Sequence, residues 1–359
     1  MHCVLRQLLQ RSGHSTSRCM TEPGARHMAT INGSLHRRAL LAAGLIALPG
    51  LAFADSQTGP RAARRWVETR KSNDMKMIFG TKQVGDVEVF YREVGPVDAP
   101  VLLLLHGFPT AGHMFRDLMP ALAGKYRLIA PDLPGFGNTV APGRASFEYS
   151  FDNMARIVEG FVDAMGLSRY ALYIFDYGAP TGLRLAMRHP ERVSAIITQN
   201  GNAYVEGLSP EWETWQTYWR EPSPQHREAC RAALTDDAIR FQYQHGAPAV
   251  LLSPDGYTLD IGYMHRPERY EIQLDLILSY RTNVALYPDF QAYFRKHQPP
   301  LLAIWGRNDP FFIPAGAEAF RRDLPRAEIH LIDAGHFALE TSHADIAERM
   351  HDFLGRQSL

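Results

Sequence analysis

The chain of 359 residues predicts an α/β fold, with a mostly parallel sheet covered by helices on both faces and interrupted by one helical insertion. Three observations predict it. Wholly apolar runs such as Val101–Leu105 have the length and composition of strands buried on both faces. Helical stretches alternate with these runs, as crossover connections between parallel strands require. Between residues 202 and 296 the strand signal lapses while Trp212, Trp215, Tyr218, Trp219, Phe241, Tyr243, Tyr263, Tyr270 and Tyr280 accumulate. A structureless loop of that length does not suit a compact domain, so the segment reads as a helical subdomain.

The elements follow in chain order. Arg37-Arg38 precede an apolar stretch, Ala39–Leu48, then Pro49-Gly50 and an A-x-A site at Ala52-Phe53-Ala54. This reads as a signal peptide over 28–54 within a presequence 1–54, by a twin-arginine or a Sec route, with export to the periplasm or the medium. The apolar stretch is too short to span a bilayer, so no stable membrane anchor is expected after processing. Residues 55–75 read as a linker. Strands are expected at Val87–Tyr91, Val101–Leu105, Arg127–Ala130, Tyr170–Phe175, Val193–Thr198, Pro300–Trp305 and Ile329–Ile332, and helices at Phe151–Met165, Gly178–Arg188 and Ala344–Phe353. The core is thus 76–201 and 297–359, with a helical lid at 202–296.

Charge excludes one class of function. The whole chain is formally neutral, but residues 1–75 hold 11 Lys+Arg against 4 Asp+Glu, which leaves 27 against 34 and a net of −7 for 76–359. A body of that sign offers nothing to nucleic acid. Of the three cysteines, Cys3 and Cys19 precede the cleavage site, so processing leaves Cys230 alone and no intramolecular disulfide.

Three segments fall at the C-terminal ends of expected strands, where open α/β sheets bind ligands. They are His106-Gly107-Phe108-Pro109, Phe175-Asp176-Tyr177-Gly178-Ala179-Pro180, and Gly306-Arg307-Asn308-Asp309-Pro310, followed by Ala334-Gly335-His336-Phe337. Singly each has an ordinary reading: an Asp before a helix is a usual N-cap, and an Asp before Pro a usual turn residue. Jointly, Asp176, Asp309 and His336 stand in the order nucleophile, acid, histidine. Asp176 takes the place of serine in a strand-to-helix turn of the G-x-S-x-G kind, with Gly178 conserving the second glycine position and Ile174 replacing the first.

On these motifs, with Pro131-Asp132-Leu133-Pro134-Gly135-Phe136-Gly137, the body from Met75 to Gln357 resembles the α/β-hydrolase superfamily, in its branch of epoxide hydrolases and haloalkane dehalogenases. The resemblance implies an eight-stranded, mostly parallel sheet with a lid after the sixth strand. It also implies an oxyanion hole from the backbone N–H groups of Phe108 and Tyr177, a cis bond before Pro109, and no metal or organic cofactor. Residue chemistry points the same way. A carboxylate attacking an amide forms an anhydride-like adduct that reverts, whereas at an sp3 carbon it displaces a stabilised leaving group. The expected partners are a small apolar electrophile and water.

The leaving group divides the branch. The dehalogenase pattern implies a Trp after the nucleophile and an Asn after His-Gly, where this chain has Tyr177 and Phe108. Tyr280-Arg281 resembles the lid Tyr-Arg pair of epoxide hydrolases, with Tyr218 as first choice for its partner and Tyr204 and Tyr263 as rivals. Epoxide hydrolase is therefore the expected function, haloalkane or haloacid dehalogenase the alternative, and a non-catalytic binding protein of the same fold the last. His106 and Asp132 are expected to hold loops, and Glu340 to be a helix-start or loop charge.

The export reading makes a definite prediction. N-terminal sequencing of active protein from the native host should begin at Asp55, in an extracytoplasmic fraction. Active protein that retains Arg37 would refute it.

Overall fold

The computed structural model describes residues 76–359. The presequence, the signal peptide at 28–54 and the linker expected over 55–75 lie outside the described residues.

Eight strands form one sheet: β1 (Ile78–Val84), β2 (Val87–Val94), β3 (Val101–Leu105), β4 (Arg127–Pro131), β5 (Tyr170–Phe175), β6 (Val193–Gln199), β7 (Leu301–Gly306) and β8 (Glu328–Ile332). Their spatial order is β1-β2-β4-β3-β5-β6-β7-β8. β1 pairs antiparallel with β2 and β2 antiparallel with β4, while all pairs from β4 to β8 are parallel. Seven strands coincide with the apolar or alternating runs read from sequence. β1 does not, because IFGTKQV alternates between half-buried and exposed residues and shows no apolar run. It is an edge strand ordered by pairing with β2.

The side-chain period of two sends alternate residues of the central strands to opposite layers. Leu103 and Leu105 of β3, with Leu172 and Ile174 of β5, join one core. Leu102 and Leu104, with Ala171, Tyr173 and Phe175, join the other. This explains why these strands are continuously apolar: neither face meets water.

The helices are α1 (Leu118–Leu122), α2 (Phe151–Ala164), α3 (Gly178–Arg188), α4 (Glu213–Arg220), α5 (Pro224–Cys230), α6 (Asp236–Gln244), α7 (Asp255–Met264), α8 (Arg269–Ser279), α9 (Arg281–Ala285), α10 (Tyr287–His297), α11 (Pro314–Asp323) and α12 (Ala338–Leu354). Local chemistry starts several of them. Ser150 caps α2 by accepting from the Asn153 N–H, Ser223 caps α5 through His226, and Thr235 caps α6 through Ala238. α12 begins earlier than its sequence pattern indicates and bends at Ser342, whose φ and ψ of −135° and 20° are not helical.

Helices α4 to α10 all lie between β6 and β7. Polar contacts tie this segment to the core. Arg184 on α3 donates to Asn283 Oδ1 at 2.6 Å and to Thr282 Oγ1 at 3.0 Å, and His113 Nε2 lies 2.6 Å from Asp260 Oδ1. Asp260 is fully buried and also accepts from the Tyr243 hydroxyl at 2.5 Å. Glu340 takes the helix-start place expected of it, in the first turn of α12. It is buried and accepts both Nη groups of Arg116, at 2.9 and 2.6 Å, because the start of α12 lies under the loop that follows β3.

The loop after β4 is held by Asp132, which accepts from Arg92 Nη1, the Gly112 N–H and the Asn138 N–H, each at 2.8 Å. One residue on, the Leu133 N–H donates to His106 Nε2 at 2.9 Å. Burial lowers the His106 pKa to about 4, so the ring is neutral and can accept there. Asp132→Ala would leave the buried Arg92 guanidinium and two N–H groups without an acceptor. Urea denaturation should show a loss of roughly 3–5 kcal/mol, the usual range when one partner of a buried ion pair is removed.

Candidate active site

The turn from β5 into α3 carries Asp176 at φ 47°, a left-handed conformation rare for a residue other than glycine. Strain of this kind persists only where the surroundings over-determine it. Two glycines allow those surroundings to close in. A Cβ on Gly178 would lie 2.2 Å from the Leu105 carbonyl oxygen, and one on Gly107 would lie 2.3 Å from Asp176 Oδ1. Ile174, which departs from the glycine of the family motif, fits because Gly182, a turn further along α3, leaves room for it. A Cβ at Gly182 would stand 2.6 Å from Ile174 Cγ2.

The Asp176 carboxylate is buried. Its Oδ1 accepts from the Phe108 N–H at 2.5 Å, and the Tyr177 N–H also donates to the carboxylate. The Phe108-Pro109 bond is cis. Oδ2 faces His336, whose Nε2 stands 3.9 Å away. The structure therefore places Phe108, Tyr177, Asp176 and His336 together, with two backbone donors on the carboxylate and Oδ2 turned to the imidazole.

His336 is aligned from behind. Its Nδ1 lies 2.7 Å from Asp309 Oδ2, and its backbone carbonyl accepts from Gln199 Nε2 at 2.9 Å. Asp309 is fully engaged: Oδ2 also accepts from Asn200 Nδ2 at 2.7 Å, and Oδ1 accepts from the Phe311 and Phe312 N–H groups at 2.8 and 3.2 Å. Asn200 was not singled out in the sequence. It sits just past β6 at φ 47° and joins β6 to β7 by accepting from the Gly306 N–H at 3.0 Å. The signal that could have found it is the polar run Gln199-Asn200-Gly201-Asn202 at the end of a buried strand, where a ligand crevice is expected.

Burial and charge oppose each other at both Asp176 and His336. Burial pushes the Asp176 pKa up to about 6 from its ordinary 3.8, against the opposing pull of His336 and the two N–H donors. For His336, burial lowers the pKa, but the charge and hydrogen bond of Asp309, with the charge of Asp176, more than reverse this and raise it.

A cavity of about 60 Å³ opens onto Asp176 and His336. Phe108, Trp212, Trp215, Phe241, Phe311 and Phe312 form its aromatic walls, and Glu211 and Gln242 bring polar groups to it. It holds more than the single water for which about 10–15 Å³ suffices, but only a small ligand.

Tyr280 is wholly buried just behind this wall. Its ring centroid stands 4.8 Å from that of Trp212 and 5.7 Å from that of Tyr177. Its hydroxyl pairs with Tyr287 at 3.5 Å, and Tyr287 in turn accepts from Asn202 Nδ2 at 3.3 Å. Burial raises both phenol pKa values, and the charge of Asp176 raises them further. The expected partner, Tyr218, is not brought to Tyr280. Its hydroxyl accepts from Arg227 Nη1 at 3.4 Å. The rivals are engaged elsewhere too, Tyr204 with Asp323 at 2.9 Å and Tyr263 with Asn138 at 3.2 Å. Tyr287 takes the place because the short α9 returns the chain, so that the first residue of α10 comes back beside the last residue before α9.

Comparison with known proteins agrees with this architecture. The family model described as alpha/beta hydrolase fold matches residues 100–342. The uncharacterized hydrolase YNR064C of Saccharomyces cerevisiae is 44% identical over 278 residues, covering 76% of this chain and 95% of that protein. A haloalkane dehalogenase of Bradyrhizobium diazoefficiens is 35% identical over 291 residues, covering 72% and 88%. Among solved structures, the haloalkane dehalogenase DbeA of Bradyrhizobium elkani aligns with a TM-score of 0.65 at 22% identity, covering 78% of this chain and 98% of that one. A candidate epoxide hydrolase of Pseudomonas aeruginosa also aligns at 0.65, with 20% identity and coverage of 80% and 98%.

Since the folded protein holds Asp176 protonated up to about pH 6 while the unfolded chain ionises it near 3.8, the folded state binds the extra proton between these values. Stability should therefore fall as pH rises through that window. Asp176→Asn removes the effect. In urea denaturation the variant should exceed the unsubstituted protein by about 2–3 kcal/mol at pH 8, with the difference gone by pH 3. Equal stability at pH 8 would mean that the carboxylate is not desolvated.

Proposed function

The chain belongs to the alpha/beta hydrolase fold family, and we propose that within it the protein is an epoxide hydrolase that works through an ester on Asp176. The observation that carries this reading is a buried carboxylate at the strand-to-helix turn, with Oδ1 bound by the Phe108 N–H, the Tyr177 N–H also donating to the carboxylate, and Oδ2 facing His336. A carboxylate in that position suits displacement at an sp3 carbon.

In the first step Oδ2 bonds to an epoxide carbon, the carbon–oxygen bond of the ring breaks, and the oxygen takes the Tyr280 proton. Tyr287, which is fed by Asn202, is placed to stabilise the phenolate. In the second step His336 Nε2 removes a proton from water, and the hydroxide adds to the Asp176 ester carbon. The oxyanion then forms on Oδ1, which the Phe108 N–H already binds, with the Tyr177 N–H as the second donor to the group. Asp309 holds His336 in position and stabilises the imidazolium. Collapse restores the carboxylate. Of the two water protons, one goes to the departing diol oxygen and the other returns Tyr280 to its phenol.

One observation favours a second reading, dehalogenation. Trp215 lines the cavity, and its indole Nε1 is buried with no hydrogen-bond partner, as a donor kept for a halide would be. The positions next to the nucleophile and after His106-Gly107 speak against it, because Tyr177 and Phe108 offer no side-chain N–H to a halide.

His336→Gln should stop the reaction at the ester. Mass spectrometry should then find the peptide containing Asp176 heavier by one epoxide. Tyr280→Phe should slow the single-turnover alkylation by an epoxide roughly 10²-fold or more, as loss of a positioned acid does, and barely affect alkylation by a bromoalkane. Bromide release from a protein that leaves epoxides untouched would overturn the assignment in favour of dehalogenation.

A further inference from the structure

Gln242 is the one residue of the α6 cavity face whose chemistry the mechanism above does not use. It is 6% exposed and lines the cavity that opens onto Asp176 and His336. Among the described residues its carboxamide has no hydrogen-bond partner, and neither of its polar atoms is among the unpaired ones sealed from solvent. The residue is otherwise buried and lines the cavity, so the cavity is where its amide can meet a ligand. The next residue shows the contrast: the Tyr243 hydroxyl points away to Asp260.

An amide among aromatic walls is left unpaired when a ligand that cannot bond to it covers it, at a cost of roughly 1–3 kcal/mol. Leucine or methionine would fill the same volume without that penalty. A polar group kept in such a place is explained by a ligand that completes its hydrogen bonds. A carboxamide both donates and accepts, so its natural complement is a hydroxyl or another neutral oxygen group.

We propose that Gln242 is a specificity-determining residue, and that it selects small epoxides bearing a hydroxyl group away from the reacting carbon over hydrocarbon epoxides of the same size. This rests on the epoxide reading only for the identity of the electrophile. The selection itself applies to whatever carbon Asp176 attacks. It also makes the pocket discriminating in a way that aromatic walls alone are not. An apolar pocket separates near-isosteres weakly, whereas an unpaired polar group penalises a substrate that cannot bond to it.

The test pairs 3,4-epoxybutan-1-ol with 1,2-epoxypentane, and 3-bromopropan-1-ol with 1-bromobutane, as substrates of the full processed protein and of Gln242→Leu. The unsubstituted protein should favour the hydroxylated member by roughly tenfold or more in kcat/KM, the size expected for one neutral hydrogen bond with its desolvation. Gln242→Leu should abolish or reverse that preference, with the loss in kcat/KM falling on the hydroxylated member. A preference seen in the bromide pair alone would reject the epoxide reading and leave the role of Gln242 standing. Equal losses on both members of a pair, or an unsubstituted protein that favours the hydroxylated member of neither pair, would overturn the proposal. Gln242→Met offers a second check that the fold is intact: it keeps the length of the side chain without the amide, and should lose the preference as Gln242→Leu does.

Discussion

Everything at the centre of this protein is organised around a single carboxylate withdrawn from water. Asp176 can be kept there because two backbone N–H groups donate to its carboxylate and an imidazole faces Oδ2. Those donors require the turn after β5 to pass within contact distance of the loop after β3, which in turn requires glycine at 107 and 178. The parallel pairing of β3 with β5, in register from Leu102 with Ala171 to Leu105 with Ile174, brings the two loops to the same end of the sheet. Fold and site are thus one geometric problem.

A second layer of polar contacts keeps the first from relaxing. Asn200 ties Asp309 to the end of β6 and β7, Gln199 holds the His336 carbonyl, and Asp132 with His106 holds the loop that presents Phe108. Each is buried and each is hydrogen-bonded at both of its polar side-chain atoms, the condition under which a buried polar network adds rigidity and does not weaken the core. Preorganisation of this kind is what allows N–H donors to stabilise an oxyanion without reorganising during the reaction.

The inserted helices supply the rest of the cavity and set its character. Aromatic side chains from α4, α6 and the loop after β7 leave a space suited to a small ligand, and the phenols at Tyr280 and Tyr287 stand behind the wall on the side of the nucleophile. Burial, and beyond it the charge of Asp176, raises the pKa of both phenols and so favours the protonated form that can donate.

How much of this was legible beforehand follows from the range of the forces involved. Val101–Leu105 and Tyr170–Phe175 could be placed to the residue, because a strand buried on both faces must be apolar throughout. Asp176, Asp309 and His336 could be read because each sits at a strand end next to residues whose local backbone needs are visible, such as Gly178 and Pro310. The edge strand Ile78–Val84 could not, since its order comes from hydrogen bonds to β2 and leaves no apolar trace. Tyr287 was missed in favour of Tyr218 because the choice depends on how three successive helices turn, and sequence spacing carries no information about interhelical angles. Asn200 and Gln242 were hidden for a related reason: a polar residue is marked as functional only when its surroundings are known to be dry, and burial at those two positions is a property of the packed tertiary structure.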